Sequence, residues 1–497
     1  MSTYLAIDLG GESGRVLSGR FDGERLGVEL VHRFANRPVV RPDGLYWDVI
    51  GLYRELLAGI ALSQARLDGP VSVSVDGWGN DFALLDDRGA LLAIPRHHRD
   101  VRAVRMPALI AELVGEDAIY RRTGVLSQSI NAASQLLAMR DEAALPAATR
   151  LSLLPDLFLQ WLSGVPVTER TIASTTQLLD LTNGQWATDL IGQLGLPSRP
   201  FAHPVVAPAT PLDGLRASQE LGPTGPVRSS VVTASRPPRV VTVAGHDTAC
   251  AVAALPARGP SFGYIVCGTW SLVGVELATP ITTTEARLAG FTNEAGLDGT
   301  FRFLRNGTGL WLLQACRRSW GESVSYSDLA AQAVEAPAFA TLIDPDHPGF
   351  LPVGDMPARI VDFCVRSGQS PPADRAAMVR CVLDSLALSY RRTVDLAESL
   401  VGRRVEALHL VGGGSANDLL CQTTADVTGR VVLAGPDEAS GIGNLLIQAI
   451  AQGELSSMAD LRAVVAASFP PVIYHPRLDG ERVDDVVDRF EQIAAME

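Results

Sequence analysis

The start of the chain combines a carboxylate, glycines and a hydroxyl between two apolar runs, in YLAIDLGGESGRVLSGRF at residues 4–21. The chemistry-bearing residues of this stretch are Asp8, Gly10, Gly11, Ser13 and Gly14. A tight turn of this composition exposes backbone N–H groups and a hydroxyl, and such groups can hold phosphate oxygens. An ordinary β-turn has the same composition, because glycine suits tight turns of any function. The stretch alone therefore leaves a phosphate site and a plain hairpin both open.

A second stretch of the same type occurs near the start of the other half of the chain, in YIVCGTWSLVGVEL at residues 264–277. It too predicts a strand, a small polar turn and a strand. Residues 407–414, ALHLVGGG, add a glycine-rich turn at the end of a further strand. Two hairpins that face each other across a cleft could clamp the phosphates of a nucleotide, so the repeat favours a nucleotide site.

An aspartate follows a third apolar run, in VTVAGHDTACAV at residues 241–252. The pattern predicts a buried strand, a turn and a helix, with His246 and Asp247 in the turn. Ligand sites of parallel sheets lie at the carboxyl ends of the strands. A carboxylate at such a place can accept a proton from a substrate hydroxyl. Asp247 can equally cap the helix that follows it.

Strand-like and helix-like segments alternate along the chain, which predicts an α/β fold. The predicted strands include 4–8, 15–21, 28–33, 71–76 and 82–85, and the predicted helices include 49–67 and 101–114. A longer helix is predicted to start at Pro371, with Ser370 as its N-cap, and to stop at Gly402. Residues 205–240 are rich in Pro, Ser, Thr and Gly and are predicted to form loops that lead to a domain boundary.

Composition restricts the class of protein. The chain has 497 residues and a formal net charge of −13, so we expect two domains and neither a nucleic-acid nor an anionic-membrane partner. Its six cysteines form no CxxC pair and are expected to be buried thiols in a reducing compartment. The sequence contains no apolar run of about 18 residues, the length that a membrane span needs. The first strand starts almost at the N-terminus, so we expect no signal peptide and a cytoplasmic protein.

The order and spacing of these motifs resemble the FGGY family of carbohydrate kinases over nearly the whole chain. The motifs that carry the resemblance include AIDLGGESGRV, DGWGNDFALLDDRG, AGHDTACAV, CGTWSLVGVE, LHLVGGGSANDLL and AGPDEASGIGNLLIQA. The resemblance implies an α/β protein with two actin/hexokinase-like (ribonuclease H-like) domains around a central cleft. The N-terminal domain, 1–243, would bind mainly sugar, and the C-terminal domain, 244–497, mainly ATP. Residues 244–252 are then expected in the same domain as 264–277.

The resemblance also assigns roles to single residues. Asp247 is expected to be the catalytic base, and Asp8 to hold Mg²⁺ through water. The expected ATP-binding residues are Gly11, Glu12, Ser13, Gly14, Arg15, Thr269, Gln314, Gly413 and Gly414. Among these, Glu12 is expected to point away from the phosphates. The expected sugar-binding residues are Trp78, Gly79, His246 and Asn306. Trp78 could instead be a core residue, because most tryptophans are.

Within the family, the motifs are most like those of kinases that act on L-rhamnulose. We therefore expect ATP-dependent phosphorylation of the 1-hydroxyl of a ketose, with L-rhamnulose first, and a domain closure that excludes water. A kinase for another ketose such as L-fuculose stays open, as does a nucleotide-dependent switch or chaperone of the same fold. The expected partner is a small sugar, and the expected assembly is a monomer or a homodimer.

Three positions depart from the family pattern in the expected sugar wall. Gly77 lacks a side chain and is expected to leave room in the pocket. Asn80 and Thr308 are expected to add polar groups, which would favour a ketose with an additional hydroxyl. Asn80 could also point away from the pocket, and Thr308 could simply pack on a helix.

Overall fold

The computed structural model describes residues 1–66, 70–216, 219–222, 225–228, 237–321, 324–352 and 354–496. By its internal contacts the chain divides into two compact units. The first unit consists of Met1–Pro256, Leu277–Arg302 and Ser440–Ser468, and the second of Ala257–Glu276, Phe303–Ala439 and Phe469–Glu497. Both units are therefore built from three separate stretches of the sequence.

Residues 244–252 lie in the first unit, whereas residues 264–276 lie in the second. The expectation that these two segments share a domain is therefore wrong. The physical reason is a backbone pairing in the first unit, where the Gly77 N–H donates to the Gly245 carbonyl at 3.0 Å. The domain limits 1–243 and 244–497 stay a prediction.

The strands follow the predicted positions closely in the first hundred residues. They are β1 (Ser2–Leu9), β2 (Ser13–Phe21), β3 (Leu26–Ala35), β4 (Val39–Arg41), β5 (Gly44–Tyr46), β6 (Ser72–Gly77), β7 (Phe82–Leu85), β8 (Arg150–Leu153), β9 (Leu179–Asp180), β10 (Gln185–Trp186), β11 (Pro211–Gly214), β12 (Gln219–Gly222), β13 (Gly225–Arg228), β14 (Arg239–Val241), β15 (Phe262–Cys267), β16 (Trp270–Leu277), β17 (Thr292–Ala295), β18 (Phe301–Thr308), β19 (Ala407–Val411), β20 (Val431–Ala434) and β21 (Val472–Tyr474). The predicted loop region 205–240 thus contains short strands, and part of it lies outside the described residues.

The α-helices alternate with these strands through most of the chain. They are α1 (Val49–Arg66), α2 (Met106–Leu113), α3 (Glu116–Thr123), α4 (Ala132–Ala138), α5 (Ala144–Ala147), α6 (Leu154–Ser163), α7 (Arg170–Ala173), α8 (Thr188–Gln193), α9 (Asp247–Ala253), α10 (Thr284–Leu288), α11 (Trp311–Ser319), α12 (Tyr326–Val334), α13 (Met356–Arg366), α14 (Arg375–Val401), α15 (Asp418–Thr428), α16 (Ala439–Ala451), α17 (Met458–Ser468) and α18 (Gly480–Ala494). The α/β class is confirmed.

The main sheet of the first unit has the strand order β11–β14–β6–β1–β2–β3. β1 runs antiparallel to β2, with Asp8 opposite Arg15. It runs parallel to β6, with Asp8 opposite Asp76. β14 is also parallel to β6. The carboxyl ends of β14, β6 and β1 therefore meet at one edge of the sheet, where ligand sites of such sheets occur.

Two clusters of buried hydrophobic residues form the core of the first unit. One packs α1 and α6 against the main sheet, and its fully buried members include Leu5, Ile7, Leu56, Val75 and Phe158. The other surrounds β7, β8, α4 and α8, and includes Leu84, Leu136, Leu153 and Leu190. Because β1 has buried residues on both of its faces, its apolar run is nearly continuous rather than alternating.

The second unit repeats the strand arrangement of the first. β15 is antiparallel to β16 and parallel to β19, just as β1 is antiparallel to β2 and parallel to β6. β20 then pairs parallel to β19. The predicted repeat of the two hairpins is confirmed, and each hairpin stands beside a parallel strand that ends at the same edge.

Two helix boundaries differ from the sequence-based expectation. The long helix α14 starts at Arg375, because the Asp374 carboxylate caps it by accepting the Ala377 N–H at 2.9 Å. The start at Pro371 with a Ser370 cap is therefore wrong, whereas the stop at Gly402, which has φ +69°, is confirmed. The predicted helix 101–114 is broken into a 3₁₀ turn, Val101–Ala103, and α2.

All six cysteines are buried and free, as expected. Within the part of the chain that the structure describes, the helices include none with the length and apolar character that a bilayer crossing requires.

Candidate active site

Three carboxylates meet at the carboxyl edge of the first unit's main sheet. Asp8 stands near the end of β1, directly opposite Asp76 of β6. The 245–247 turn follows β14 and continues alongside β6, since His246 forms a parallel bridge with Gly77. This turn presents Asp247 at the same edge. We call Asp8, Asp76 and Asp247 the acidic edge.

Asp8 is held by a cation and a hydroxyl. Its side chain is 2 % exposed, and its Oδ2 lies 3.3 Å from Nε of Arg15 on β2. The Ser440 hydroxyl, from the start of α16, donates to the same oxygen at 2.5 Å. Asp8 is thus a buried carboxylate with positive charge beside it.

Asp76 is the member of the acidic edge that sequence reasoning did not single out. It is fully buried, and Asn444 of α16 donates to its Oδ2 at 2.6 Å. Its Oδ1 has no hydrogen-bond partner among the described residues. Burial raises the pKa of Asp76 well above its usual value, and the Asp8 and Asp247 carboxylates add to this. The only sequence signal was its place at the end of a predicted strand, within DGWGNDF.

The acidic edge has oxygen donors of the kind that Mg²⁺ prefers. The described residues include no group of three or more His, Cys, Asp or Glu side chains arranged to enclose a metal ion. Mg²⁺ nevertheless usually keeps several waters and binds through one or two carboxylates together with substrate phosphates. The partnerless Asp76 Oδ1 beside Asp8 fits that mode, so these residues suit a hydrated cation. The Mg²⁺ role of Asp8 stays a prediction.

Asp247 is the most accessible carboxylate of the acidic edge. Its side chain is 27 % exposed, and it is the first residue of α9, with His246 at the N-cap position. Its Oδ1 accepts from the backbone N–H of the next residue, Thr248, at 2.5 Å. An N-cap side chain would instead accept from a residue two or three positions ahead. Asp247 is therefore not the N-cap residue of α9.

The backbone of the 245–247 turn is held by a buried glutamate that sequence reasoning missed. Glu169 accepts the Gly245 N–H at 2.8 Å and the Thr171 hydroxyl at 2.6 Å. The Thr171 hydroxyl in turn accepts the His246 N–H at 3.2 Å. Burial raises the pKa of Glu169, although the hydrogen bonds to its carboxylate oppose this. The start of α7, with its N-cap residue Glu169, therefore holds the backbone of the turn in place by hydrogen bonds.

The His246 side chain lies between Asp247 and a buried ion pair. Its Nε2 is 3.4 Å from Asp247 Oδ1, and its Nδ1 is 3.1 Å from Glu294 Oε2. An Arg302 guanidinium nitrogen lies 3.0 Å from the same Nδ1. Burial alone would raise the pKa of Glu294, but the neighbouring Arg302 and His246 charges outweigh it and lower the pKa to about 2. Glu294 and Arg302 were also missed from sequence.

Trp78 belongs to an aromatic group rather than standing alone. Its ring centroid lies 4.4 Å from that of the buried Trp47, and its Nε1 donates to Asp81 Oδ2 at 2.6 Å. His98 Nδ1 lies 2.6 Å from the same Asp81 oxygen. His97, stacked on Trp47, is buried, and this burial lowers its pKa to about 3. The partly exposed Trp78 is thus fixed in orientation and presents a rigid face.

The residues around Trp78 modify the expectation for the sugar wall. A Cβ at Gly77 would lie 3.1 Å from the Leu9 Cβ and 3.4 Å from Pro155, so the expected free room at Gly77 is already filled. A Cβ at Gly79 would meet Thr175 atoms at 2.9 Å. Asn80 has φ +75°, and its N–H donates to the Thr175 hydroxyl at 3.1 Å. The tight packing at Gly77 and Gly79 therefore shapes the backbone of this loop.

The first glycine turn is closed by its own backbone. The Gly10 N–H donates to the Ser13 carbonyl at 3.0 Å, and the Asn36 N–H donates to the Glu12 carbonyl at 2.9 Å. Gly11 and Glu12 are exposed, whereas Gly14 is buried against Phe34. The turn Gly11–Arg15 thus exposes small residues, and its last residue, Arg15, reaches the acidic edge.

The second unit brings together four of the expected ATP residues. Thr269 forms the turn between β15 and β16, and its carbonyl accepts from the N–H of Gly309 and of Trp311 at 3.1 Å. Gln314 lies on α11, which starts at that contact. Its Oε1 is buried and has no hydrogen-bond partner among the described residues. An unpaired buried acceptor of this kind suits a polar ligand.

The GGG turn packs against the end of the same hairpin. A Cβ at Gly412, which has φ +79°, would lie 2.9 Å from the Cys267 carbonyl, and one at Gly414 would lie 2.6 Å from the Cys267 Cβ. A Cβ at Gly413 would meet nothing within 4 Å. Gly412 and Gly414 are therefore required for close approach, and Gly413 leaves an open surface.

Two further residues of the expected sugar site belong to the second unit. Asn306 is an exposed residue of β18. Thr308, at the end of the same strand, is buried, and its N–H donates to Asp346 at 2.7 Å. The first unit thus groups Asp8, Arg15, Trp78, Gly79, His246 and Asp247, and the second groups Thr269, Gln314, Gly413, Gly414 and Asn306.

The chain matches known proteins over nearly its whole length. The N-terminal domain of the FGGY family of carbohydrate kinases matches residues 3–234, and its C-terminal domain matches residues 263–452. The chain is 38 % identical to a rhamnulokinase of Bacteroides thetaiotaomicron over 476 residues, covering 95 % of this chain and 96 % of the relative. It is 34 % identical to a rhamnulokinase of Bacillus subtilis over 489 residues, covering 98 % of both chains.

Solved structures with the same fold are more distant in sequence. A xylulose kinase from Rhodospirillum rubrum superposes with a TM-score of 0.78 at 19 % identity, over 99 % of this chain and 98 % of that chain. Plasmodium falciparum glycerol kinase with ADP gives a TM-score of 0.74 at 14 % identity, over 100 % of this chain and 99 % of that chain. At these low sequence identities, the structural matches show that the chain has the same fold as these two kinases.

Proposed function

Because the chain belongs to the FGGY family of carbohydrate kinases, we propose that it transfers a phosphoryl group from ATP to the 1-hydroxyl of L-rhamnulose. The observation that carries the proposal is the acidic edge, where an accessible carboxylate, Asp247, stands beside two buried ones. The rhamnulokinases that match over nearly its whole length support L-rhamnulose as the sugar.

In this proposal Asp247 acts as the general base. It accepts the proton of the sugar hydroxyl while that oxygen attacks the γ-phosphorus of ATP. Its exposure suits this role, since Asp8 and Asp76 are buried and already held by Ser440 and Asn444. When bound, Mg²⁺ neutralises charge on the phosphates. Asp8 would hold it through water.

The sugar would bind mainly residues of the first unit, and the nucleotide mainly residues of the second. Trp78 offers a rigid apolar face for the sugar ring, and His246 and Asn306 offer polar contacts. For the nucleotide, Thr269 would hold phosphate at the hairpin turn. Gln314 has an unpaired acceptor, and the open backbone at Gly413, which the packing of Gly414 holds in place, suits adenosine. Residues Gly11–Arg15 form the second phosphate turn.

The test is an assay of ATP-dependent phosphorylation with a panel of ketoses that includes L-rhamnulose and L-fuculose. We expect the highest kcat/KM for L-rhamnulose. A higher value for L-fuculose would select the other sugar. ATP hydrolysis without any ketose preference would instead favour the nucleotide-dependent switch, which positions water and needs no sugar acceptor.

Asp247→Asn tests the residue that carries the mechanism. Loss of a general base commonly costs about 10²–10⁴-fold in rate, so we expect kcat to fall by that factor while ATP binding persists. Asp384→Asn is the matched control, because Asp384 is a buried aspartate of α14 that pairs with Arg380. An Asp247→Asn variant with turnover near that of the wild type would contradict the assignment.

A further inference from the structure

A buried ion pair lies behind His246. Arg302 is completely buried, and its guanidinium nitrogen lies 2.8 Å from Glu294 Oε2, which is itself nearly buried. Removing two charges from water is costly, and apolar residues of similar volume often stabilise a fold equally well. A contribution to the stability of the fold is therefore a weak explanation for the presence of this ion pair.

The contacts of the pair converge on one ring nitrogen. His246 Nδ1 lies 3.0 Å from an Arg302 nitrogen and 3.1 Å from Glu294 Oε2. A guanidinium group can only donate and a carboxylate can only accept, so Nδ1 has a partner on this side in either tautomer. The other ring nitrogen, Nε2, lies 3.4 Å from Asp247 Oδ1. The pair thus fixes the orientation of the ring that faces Asp247.

The pair is itself firmly placed. Glu294 and Arg302 lie on the adjacent strands β17 and β18, and Arg302 Nε also donates to the Ala295 carbonyl at 3.3 Å. The Ala295 N–H donates to the Ser174 hydroxyl at 2.9 Å. Since Glu169 holds the turn's backbone, Glu294 and Arg302 supply a separate restraint on the His246 side chain.

We propose that Glu294 and Arg302 are positioning residues for phosphoryl transfer, acting through His246 to orient the Asp247 carboxylate. Neither residue needs to touch the sugar or the nucleotide. The proposal rests on the proposed function, because Asp247 is taken as the base of that reaction. The 3.4 Å distance is long for a hydrogen bond, and such contacts often tighten only when substrate is bound.

The test is a double-mutant cycle between Glu294→Gln and His246→Ala, with kcat and both KM values measured. A misplacement of ~1 Å in a reacting group can cost about 10²-fold, so we expect Glu294→Gln alone to lower kcat by about 10–100-fold. We expect the KM for ATP to stay unchanged. In the His246→Ala background the same change should lower kcat by less than about 2-fold, because its route to Asp247 is gone.

Asp384→Asn serves as the control, since it also breaks a buried ion pair, with Arg380 at 2.8 Å. It should leave kcat near the wild-type value. If it lowers kcat as much as Glu294→Gln does, general damage from a lost ion pair explains the effect and the proposal fails. The proposal also fails if Glu294→Gln keeps wild-type kcat, or if its loss is equal in both His246 backgrounds.

Glu294→Gln leaves Arg302 buried and unpaired, so the variant could fail to fold. The double variant Glu294→Gln with Arg302→Met removes both charges and avoids this. The same cycle with His246→Ala then applies, with the same expected results. Failure of the proposed function is seen separately, because the wild-type protein would then phosphorylate no ketose of the panel.

Discussion

Asp76→Asn is expected to make the protein more stable at neutral pH. Asp76 is a fully buried carboxyl whose pKa is raised by burial and by the charges of Asp8 and Asp247. In the wild type, the Asn444 side-chain amide donates a hydrogen bond to Asp76 Oδ2 at 2.6 Å. An asparagine at position 76 keeps an oxygen that can accept this hydrogen bond, and it removes the negative charge. The fold then no longer has to hold an ionisable group in a place that disfavours its ionised form.

The sign of the pH dependence follows from linkage. The pKa of Asp76 is higher in the folded protein than its value of about 3.9 in the unfolded chain. Between these two pKa values the folded state keeps a proton that the unfolded state has lost. The free energy of unfolding therefore falls by about 1.4 kcal/mol for each pH unit of increase. Above the pKa of the folded state, the free energy of unfolding falls no further. The uncharged amide of the Asp76→Asn variant does not titrate, so this residue adds no pH dependence to the stability of the variant.

The assay is the melting temperature of the wild type and Asp76→Asn at several pH values from 4 to 8. One kcal/mol corresponds to about 2–4 °C for a domain of 150–250 residues, and to less for a larger one. We expect the advantage of the variant to be small near pH 4 and to grow as pH rises. Asp384→Asn is the contrast, because it leaves Arg380 without its carboxylate and should lower the melting temperature. A difference between Asp76→Asn and wild type that is negative or independent of pH would refute the reasoning.

Two further predictions concern the two ligand surfaces. Asp81→Asn should raise the KM for the ketose about 10-fold and leave the KM for ATP unchanged, because one charged hydrogen-bond acceptor for Trp78 and His98 is lost; equal effects on both substrates would contradict this. Gly414→Ala should destabilise the fold by about 1–3 kcal/mol, because its Cβ would lie 2.6 Å from the Cys267 Cβ. Gly413→Ala, whose Cβ meets nothing within 4 Å, should leave the melting temperature unchanged, and a matching loss in both variants would argue against the packing explanation.

The parts of the fold that local sequence determines were predictable. The β1–β2 and β15–β16 hairpins follow from apolar runs separated by small polar turns. The stop of α14 at Gly402 follows from the left-handed conformation that glycine adopts there. The start of α14 was not predictable, because Ser370 and Asp374 are both good N-cap residues. In the structure Asp374 supplies the cap, and the Ser370 carbonyl accepts from the Thr341 hydroxyl at 3.0 Å.

The candidate site was predictable only where its residues stand next to a turn. Asp8 and Asp247 end apolar runs, and each is visible in its own motif. The groups that hold them come from distant parts of the chain. Ser440 reaches Asp8 across 432 residues, and Asn444 reaches Asp76 across 368 residues. A single sequence carries no signal for such pairings, so Asp76, Glu294 and Arg302 emerge only when the strands are placed side by side.

The charge distribution at the acidic edge supports the proposed role of Asp247 as the base. A polyphosphate would be repelled by three negative charges, so some of them must be neutralised. The raised pKa of Asp76 favours its neutral form, and the Arg15 guanidinium lies beside Asp8. Asp247 is left as the accessible carboxylate, with His246 beside it. The same burial that makes Asp76 costly to the fold therefore distinguishes Asp247 as the group available to take a proton.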